Sequence, residues 1–178
     1  MMTDALVSFV PLNAPLSLVA SAGTNIASNI LDLAGPGVGY ADTNIIGTAT
    51  VFGTDLGVGS DRPMVNMVVG TSLTTSNSCT LNVAFQGAID NGSNQPGTWN
   101  TFMETGPIAV ANLTAGTVFG KFDLAHAFPD LTFPRFLRLL FQVPASENFS
   151  AGTISSAIFV MVRDDVSSLN AAKNYTVA

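Results

Sequence analysis

The sequence predicts an all-β fold, an antiparallel β-sandwich that is jelly-roll-like, with extended N- and C-terminal arms. Apolar residues hardly ever recur at helical spacing, whereas Gly, Pro, Asn and Ser cluster at short intervals, as they do at turns between strands. Between these clusters, several segments alternate apolar and polar residues with the period of two that is typical of a strand. Roughly eight or nine such strands suit two sheets around one core, and an up-and-down barrel is the alternative.

The predicted organisation is one folded body with an arm at each end. Residues 1–15, which include Pro11 and Pro15, are expected to form an extended arm, residues 16–165 a single β-sandwich domain, and residues 166–178 a tail. The predicted strands, in chain order, are Leu16–Ala20, Ser28–Leu33, Ile45–Phe52, Met64–Val69, Thr80–Ile89, Thr101–Val110, Thr117–Leu124, Arg135–Val143 and Thr153–Arg163.

Two of these strands have a clear apolar face. In TLNVAFQ, the residues Leu81, Val83 and Phe85 share one side of the strand, and polar residues or alanine occupy the other. In FLRLLFQV one side is entirely apolar and the other is mixed, which predicts a central strand whose second face is half covered. The apolar side consists of Leu137, Leu139, Phe141 and Val143.

The last predicted strand, TISSAIFVMV, is apolar on both sides. Strict alternation places Ile154, Ile158, Val160 and Val162 on one face. The other face contains Ala157, Phe159 and Met161. Burial of both faces fits a sandwich core on one side and a subunit interface on the other, so Phe159 and Met161 are candidate interface residues.

The composition points to contact with protein rather than with nucleic acid. Charged residues make up 10% of the chain, against roughly 25% in an average soluble domain. Thr, Ser, Asn, Gly and Ala must therefore cover much of the surface. The net charge is −6 and the six basic residues form no dense run, so neither nucleic acid nor an anionic membrane surface is an expected partner.

Side chains that could perform chemistry are scarce. His126 is the only histidine, Cys79 the only cysteine, and Glu104 and Glu147 the only glutamates. They occur in no recognised catalytic or metal-binding spacing, so we expect no enzyme activity, no catalytic residues, no metal and no cofactor. The segment DNGSN, residues 90–94, offers several oxygens, but it lacks the rest of a calcium loop and predicts an Asx-type turn.

Trp99 is placed by the sequence in the long polar loop DNGSNQPGTWN. There, an exposed indole could bind a sugar or a protein partner, or it could fold back as a lid on the core. Arg138 lies on an otherwise apolar strand, so we expect it to pair with a carboxylate or to stack on an aromatic ring. A structural ion pair is favoured over a ligand site.

Three segments together resemble the capsid cement, or head decoration, proteins of tailed phages that have a jelly-roll fold. The segment ASAGTNIASNILDLA, residues 20–34, resembles the opening of that family. In IAVANLTAGTVFGKFDL the matching positions are Leu113, Ala115, Gly116 and Thr117. In PRFLRLLFQVPASENFSAGTISSAIFVMV they are Arg135 to Leu139, Phe149, Ala151, Gly152, Thr153 and Ile154. The resemblance covers roughly Ala20 to Arg163, and the central loops are unmatched.

The resemblance implies a structural virion protein on the outer surface of a phage capsid. Its partners would be the major capsid protein and further copies of itself, in a homo-oligomer that the family suggests is a trimer. Apolar arm residues would then lie across a neighbouring subunit and bury area worth about 25 cal/mol per Å². The candidate arm residues are Leu6, Val7, Phe9, Val10 and Leu12, and Trp99 is a further candidate contact.

Two other functions remain open from the sequence. A carbohydrate-binding module of a phage tail or adhesin would use Trp99 to hold a glycan. A jelly-roll minor capsid subunit would form part of the shell itself. An acidic chain is less suited to lining a packaged genome, which favours attachment outside.

Overall fold

The computed structural model describes residues 8–33, 62–75, 79–123, 134–146 and 148–162. Within them it is a β protein with one short 3₁₀ helix, Val110–Asn112. The strands are β1 (Ser8–Val10), β2 (Leu16–Ser17), β3 (Asn25–Ala27), β4 (Leu31–Asp32), β5 (Arg62–Thr75), β6 (Thr80–Asp90), β7 (Pro96–Glu104), β8 (Ile108–Ala109), β9 (Val118–Asp123), β10 (Phe136–Gln142) and β11 (Phe149–Val162). The predicted strand Ile45–Phe52 and the tail 166–178 lie outside the described residues.

The strands form two antiparallel sheets that pack face to face, as the sequence predicted. The first sheet has the order β1–β11–β5–β9, with β2 also paired to β11. The second has the order β3–β10–β6–β7, with β4 also paired to β10 and β8 to β6. β1 and β2 can be taken as one interrupted strand, and so can β3 and β4. The first of these combined strands pairs with the last strand, β11, and the second pairs with the second-to-last strand, β10. This nested pairing is the topology of a jelly roll.

The core lies between the two sheets and is built from the alternating residues that the sequence indicated. Leu81, Val83 and Phe85 of β6 are completely buried. The apolar side of β10 is buried as well, at Leu137, Leu139 and Phe141, and so is Val143, which directly follows the strand. On the second side of β10, Phe136 and Leu140 are buried while Arg138 and Gln142 are half-buried, which agrees with a half-covered outer face.

The N-terminal strand β1 is part of this core, which corrects one prediction about the arm. Phe9 is 0% and Val10 1% exposed. The Phe9 ring lies 5.2 Å from that of Phe159 and 6.1 Å from that of Phe85, centroid to centroid. β1 pairs with β11 at the edge of the first sheet, so Phe9 and Val10 fill the sandwich and are not free to lie across a neighbour.

The other proposed arm residues have different outcomes. Leu12 lies between β1 and β2 and is 68% exposed, so it is available for contact. Leu6 and Val7 lie outside the described residues. Of the predicted apolar arm residues that the structure describes, Leu12 is the one that is exposed.

A β-bulge in β11 corrects the prediction for Phe159. Ile154 is opposite Val69, and Ser156 is opposite Val68, so two steps along β11 match one step along β5. The extra residue reverses which side chains face inward. Ala157 and Phe159 therefore join Ile154 in the core, whereas Ile158 turns outward and is half-buried. Phe159 is therefore a core residue. Met161 of β11 pairs with Pro63 of β5, and its side chain lies outside the described part.

Candidate functional site on the outer face of the second sheet

A row of polar side chains crosses three strands of the second sheet on the face turned away from the core. Gln86 of β6 lies opposite Arg138 of β10 on one side and opposite Thr101 of β7 on the other. Arg138 Nε donates a hydrogen bond to Gln86 Oε1 at 2.9 Å, and Gln86 Nε2 donates to Thr101 Oγ1 at 3.0 Å. Both ends of the Gln86 amide are thereby used, and the orientation of the Arg138 side chain is defined.

Trp99 belongs to strand β7 and not to a loop, which corrects the prediction from sequence. It lies opposite Ala88 of β6, a side chain short enough to leave room for the indole. The guanidinium carbon of Arg138 lies over the Trp99 ring, 4.1 Å from its centroid. One face of the indole is therefore covered by a cation within the protein.

Arg138 makes the aromatic contact that the sequence allowed, and among the described residues it makes no ion pair of the kind that the sequence favoured. Its interactions with the described residues are the hydrogen bond to Gln86 and the contact with Trp99. Burial lowers the pKa of its guanidinium. The carboxylate of Glu104, on the neighbouring strand β7, accepts a hydrogen bond from Asn82 at 3.1 Å.

A second polar group lies along the same face and is satisfied internally. Asn82 Nδ2 donates to Gln142 Oε1 at 2.8 Å as well as to Glu104 Oε2. Asn82 Oδ1 accepts a hydrogen bond from Thr105 Oγ1 at 3.3 Å. These contacts connect β10, β6 and the end of β7, and they stabilise the sheet.

The ion pair that was expected at Arg138 is made by Arg135. Its Nε and Nη2 donate to the two oxygens of Asp32 at 2.9 and 3.0 Å. Its Nη1 donates to Asp90 and, at 2.8 Å, to Asn94. The hydrogen bonds with Asp32 come first among the reasons why the pKa of Arg135 is raised. Arg135 thus joins β4, the start of β10 and the β6–β7 turn.

The DNGSN segment forms the Asx-type turn that the sequence predicted. Asp90 Oδ1 accepts hydrogen bonds from the backbone N–H groups of Gly92 at 2.8 Å and Asn94 at 3.1 Å. Burial alone would raise the pKa of Asp90, but these N–H groups and the charge of Arg135 outweigh it and lower the pKa. The oxygens that a calcium ion would need already serve the turn and Arg135.

The described residues contain no group of three His, Cys, Asp or Glu side chains placed to hold a metal ion. Cys79 is buried, and His126 lies outside the described residues. Two clefts, of about 400 and 430 Å³, are lined mainly by apolar and hydroxyl side chains. The first lies beside Leu73 and Cys79, and the second beside Phe102 and Pro134. Neither brings together a set of catalytic groups.

The segments that carry the family resemblance meet each other in the folded chain. Asp32, from the opening segment, is the carboxylate that Arg135 binds. Ala20, at the start of that segment, forms a β-bridge with Phe149. Gly152 packs against Leu73 of β5, and the backbone oxygen of Leu113 accepts a hydrogen bond from the N–H of Leu73 at 3.1 Å. These matching residues therefore have structural roles.

The fold and this site define the class of the protein as a jelly-roll β-sandwich with a polar outer sheet face. No protein-family model matches the chain, and no curated protein matches it either. In the part of the chain that the structure describes, no helix has the length and apolar character needed to cross a bilayer.

Proposed function

We propose that this protein is a capsid decoration protein, a structural virion component that binds the outer face of a phage capsid. It assembles as a homotrimer and stabilises contacts between major capsid protein subunits. It acts by binding and carries out no reaction.

The observation that carries the proposal is the joint placement of the resembling segments. They lie far apart in sequence, yet Asp32 binds Arg135 and Ala20 pairs with Phe149. A chance likeness between short amphipathic strands has no reason to place its matching residues in mutual contact. The topology is also that of a jelly roll, the fold that the resemblance implies.

The surface composition supports a role in protein contact. With 10% charged residues, binding requires little desolvation of charge. Two exposed apolar residues, Leu12 at 68% and Val19 at 57% exposure, flank β2 on the β1–β2 edge of the first sheet. Leu12 belongs to the predicted N-terminal arm, and Val19 extends the exposed apolar surface beyond it; together they define this edge. Repetition over symmetry-related sites turns such modest contacts into strong attachment.

The first test is the mass of the purified protein in solution, followed by co-sedimentation with undecorated phage capsids. We expect a particle of three 18.4 kDa chains that sediments with intact capsids and not with dissociated coat protein. A monomer that never binds capsids would refute the proposal. The variant Leu12→Ser/Val19→Ser should bind capsids more weakly, whereas Ile89→Ser, which alters another half-exposed apolar residue, is the matched control.

The same preparations distinguish the two alternatives. A glycan-binding module would bind a carbohydrate array, and Trp99→Ala would abolish that binding. The contact between Arg138 and Trp99 argues against this alternative, because a sugar stacks on an open aromatic face and one face is already covered. A minor capsid subunit would be built into the shell during assembly and would not add to finished capsids.

A further inference from the structure

Arg138 is a half-buried cation with unused hydrogen-bond donors. Its Nε is bound to Gln86, and its guanidinium lies over Trp99. The terminal nitrogens Nη1 and Nη2 have no hydrogen-bond partner among the described residues. A guanidinium can donate five hydrogen bonds in a fixed plane, and here most of that capacity is unused.

The surroundings of Arg138 make its unsatisfied donors energetically costly, and they also fix the orientation of the guanidinium. Along β10 its neighbours on the outer face are Phe136 and Leu140, which are 4% and 9% exposed. These apolar groups and the indole exclude water from part of the guanidinium, and no carboxylate of the described residues compensates its charge. Gln86 and Trp99 meanwhile hold its plane in place, so little side-chain entropy remains to be lost when a partner binds.

We propose that Arg138 and Trp99 form the anchor by which the outer face of the second sheet binds a carboxylate side chain of a partner protein. This inference rests on the proposed function, in which the partner is the coat protein. An Asp or Glu carboxylate fits the geometry because it can accept two parallel hydrogen bonds from one guanidinium. Arg and Trp are also the residues that most often dominate binding at protein interfaces.

A protein carboxylate is a better partner here than the acid group of a sugar. An acidic sugar brings a ring as well as its carboxylate, and holding that ring requires an open aromatic face and free amide groups. In this site Arg138 covers one face of the indole, and the amides of Gln86 and Asn82 are occupied by neighbouring side chains. The donors left over are those of the guanidinium, which recognise a carboxylate and not a sugar ring.

Trp99 is the only tryptophan in the chain, so its fluorescence reports on this site alone. The first experiment titrates the protein with poly-L-glutamate and, as a control, with a neutral glutamine-rich peptide. We expect a saturable change in Trp99 emission with the acidic polymer only, reduced by added salt and lost in Arg138→Gln. Thr98→Ala, an exposed position on the same strand, should respond like the wild type.

The second experiment measures attachment to undecorated capsids. Arg138→Gln should bind about 10- to 100-fold more weakly, as expected when one partner of a close charge pair is removed. Arg138→Lys should fall in between, because it keeps the charge and loses the paired donors.

The outcomes separate this inference from the proposed function. If the wild type binds capsids and Arg138→Gln binds equally well, the inference is wrong and the proposed function stands. If the acidic polymer changes Trp99 emission and the protein does not bind capsids, the carboxylate site is supported, and the coat protein is excluded as its partner. If neither probe responds, both proposals are refuted.

Discussion

Gly152 should tolerate no side chain, and the structure allows the cost to be estimated. Its φ is +137°, a region that is almost confined to glycine and costs other residues roughly 1–3 kcal/mol. A Cβ added here would lie 2.7 Å from Leu73 Cγ and 3.0 Å from Leu73 Cα. The latter is a backbone atom, so the neighbour cannot simply rotate away, and overpacking of this kind typically costs a further ~1–3 kcal/mol.

We therefore expect Gly152→Ala to lower the free energy of unfolding by about 2–6 kcal/mol, a large part of the ~5–15 kcal/mol that holds a typical domain together. Gly116→Ala is the matched control. Gly116 also has a positive φ, +84°, but a Cβ added there would meet nothing within 4 Å. It should lose only the backbone contribution, about 1–2 kcal/mol.

Urea denaturation followed by circular dichroism measures both variants and a double-mutant cycle with Leu73→Ala. Because the clash is with Leu73, removing most of that side chain should make Gly152→Ala less costly than in the wild type. Equal losses for Gly152→Ala and Gly116→Ala, together with strict additivity in the cycle, would show that crowding against Leu73 is not what requires glycine.

Two further predictions concern the N-terminal strand and the turn at Asp90. Phe9→Ala should destabilise the protein by about 3–5 kcal/mol because Phe9 is in the core, whereas Leu12→Ala should change stability by less than about 0.5 kcal/mol; equal effects in thermal melts would contradict this placement. Because folding lowers the pKa of Asp90, its contribution is complete above the ordinary value of 3.8 and is lost as pH falls through the lower, folded value. Asp90→Asn should therefore show a smaller loss of stability on acidification, and an unchanged pH profile would count against it.

The parts of the fold that follow from a period of two could be predicted from the sequence. Leu81, Val83 and Phe85 are buried together because alternate residues of a regular strand share a face. The bulge in β11 could not be predicted in this way. Its extra residue is defined by the count on the partner strand β5, and the sequence Ser155-Ser156 carries no sign of it. Because this one extra residue was not predicted, Phe159 was assigned to an interface although it lies in the core.

The site was less predictable because it depends on contacts between strands. The sequence predicted a loop at Trp99 because the preceding segment DNGSNQPG is rich in residues that favour turns. The Asp90 side chain closes that turn within a few residues, and β7 begins at Pro96. Likewise, nothing in the spacing of Arg135 and Arg138 indicates which of them meets a carboxylate. That is decided by Asp32 and Asp90, which lie 103 and 45 residues from Arg135 in the chain.

The contrast between these two arginines separates the residues that hold the fold from those available to bind. Arg135 joins Asp32 and Asp90, so Arg135→Gln removes the cation that both carboxylates share and should lower the urea midpoint clearly. Arg138→Gln removes a cation that no carboxylate of the described residues opposes, and it should lower the midpoint much less. If Arg138→Gln proves the more destabilising of the two, Arg138 has a structural role, and its free hydrogen-bond donors do not indicate a binding site. If it leaves the fold intact, any loss of binding in that variant reports on recognition alone.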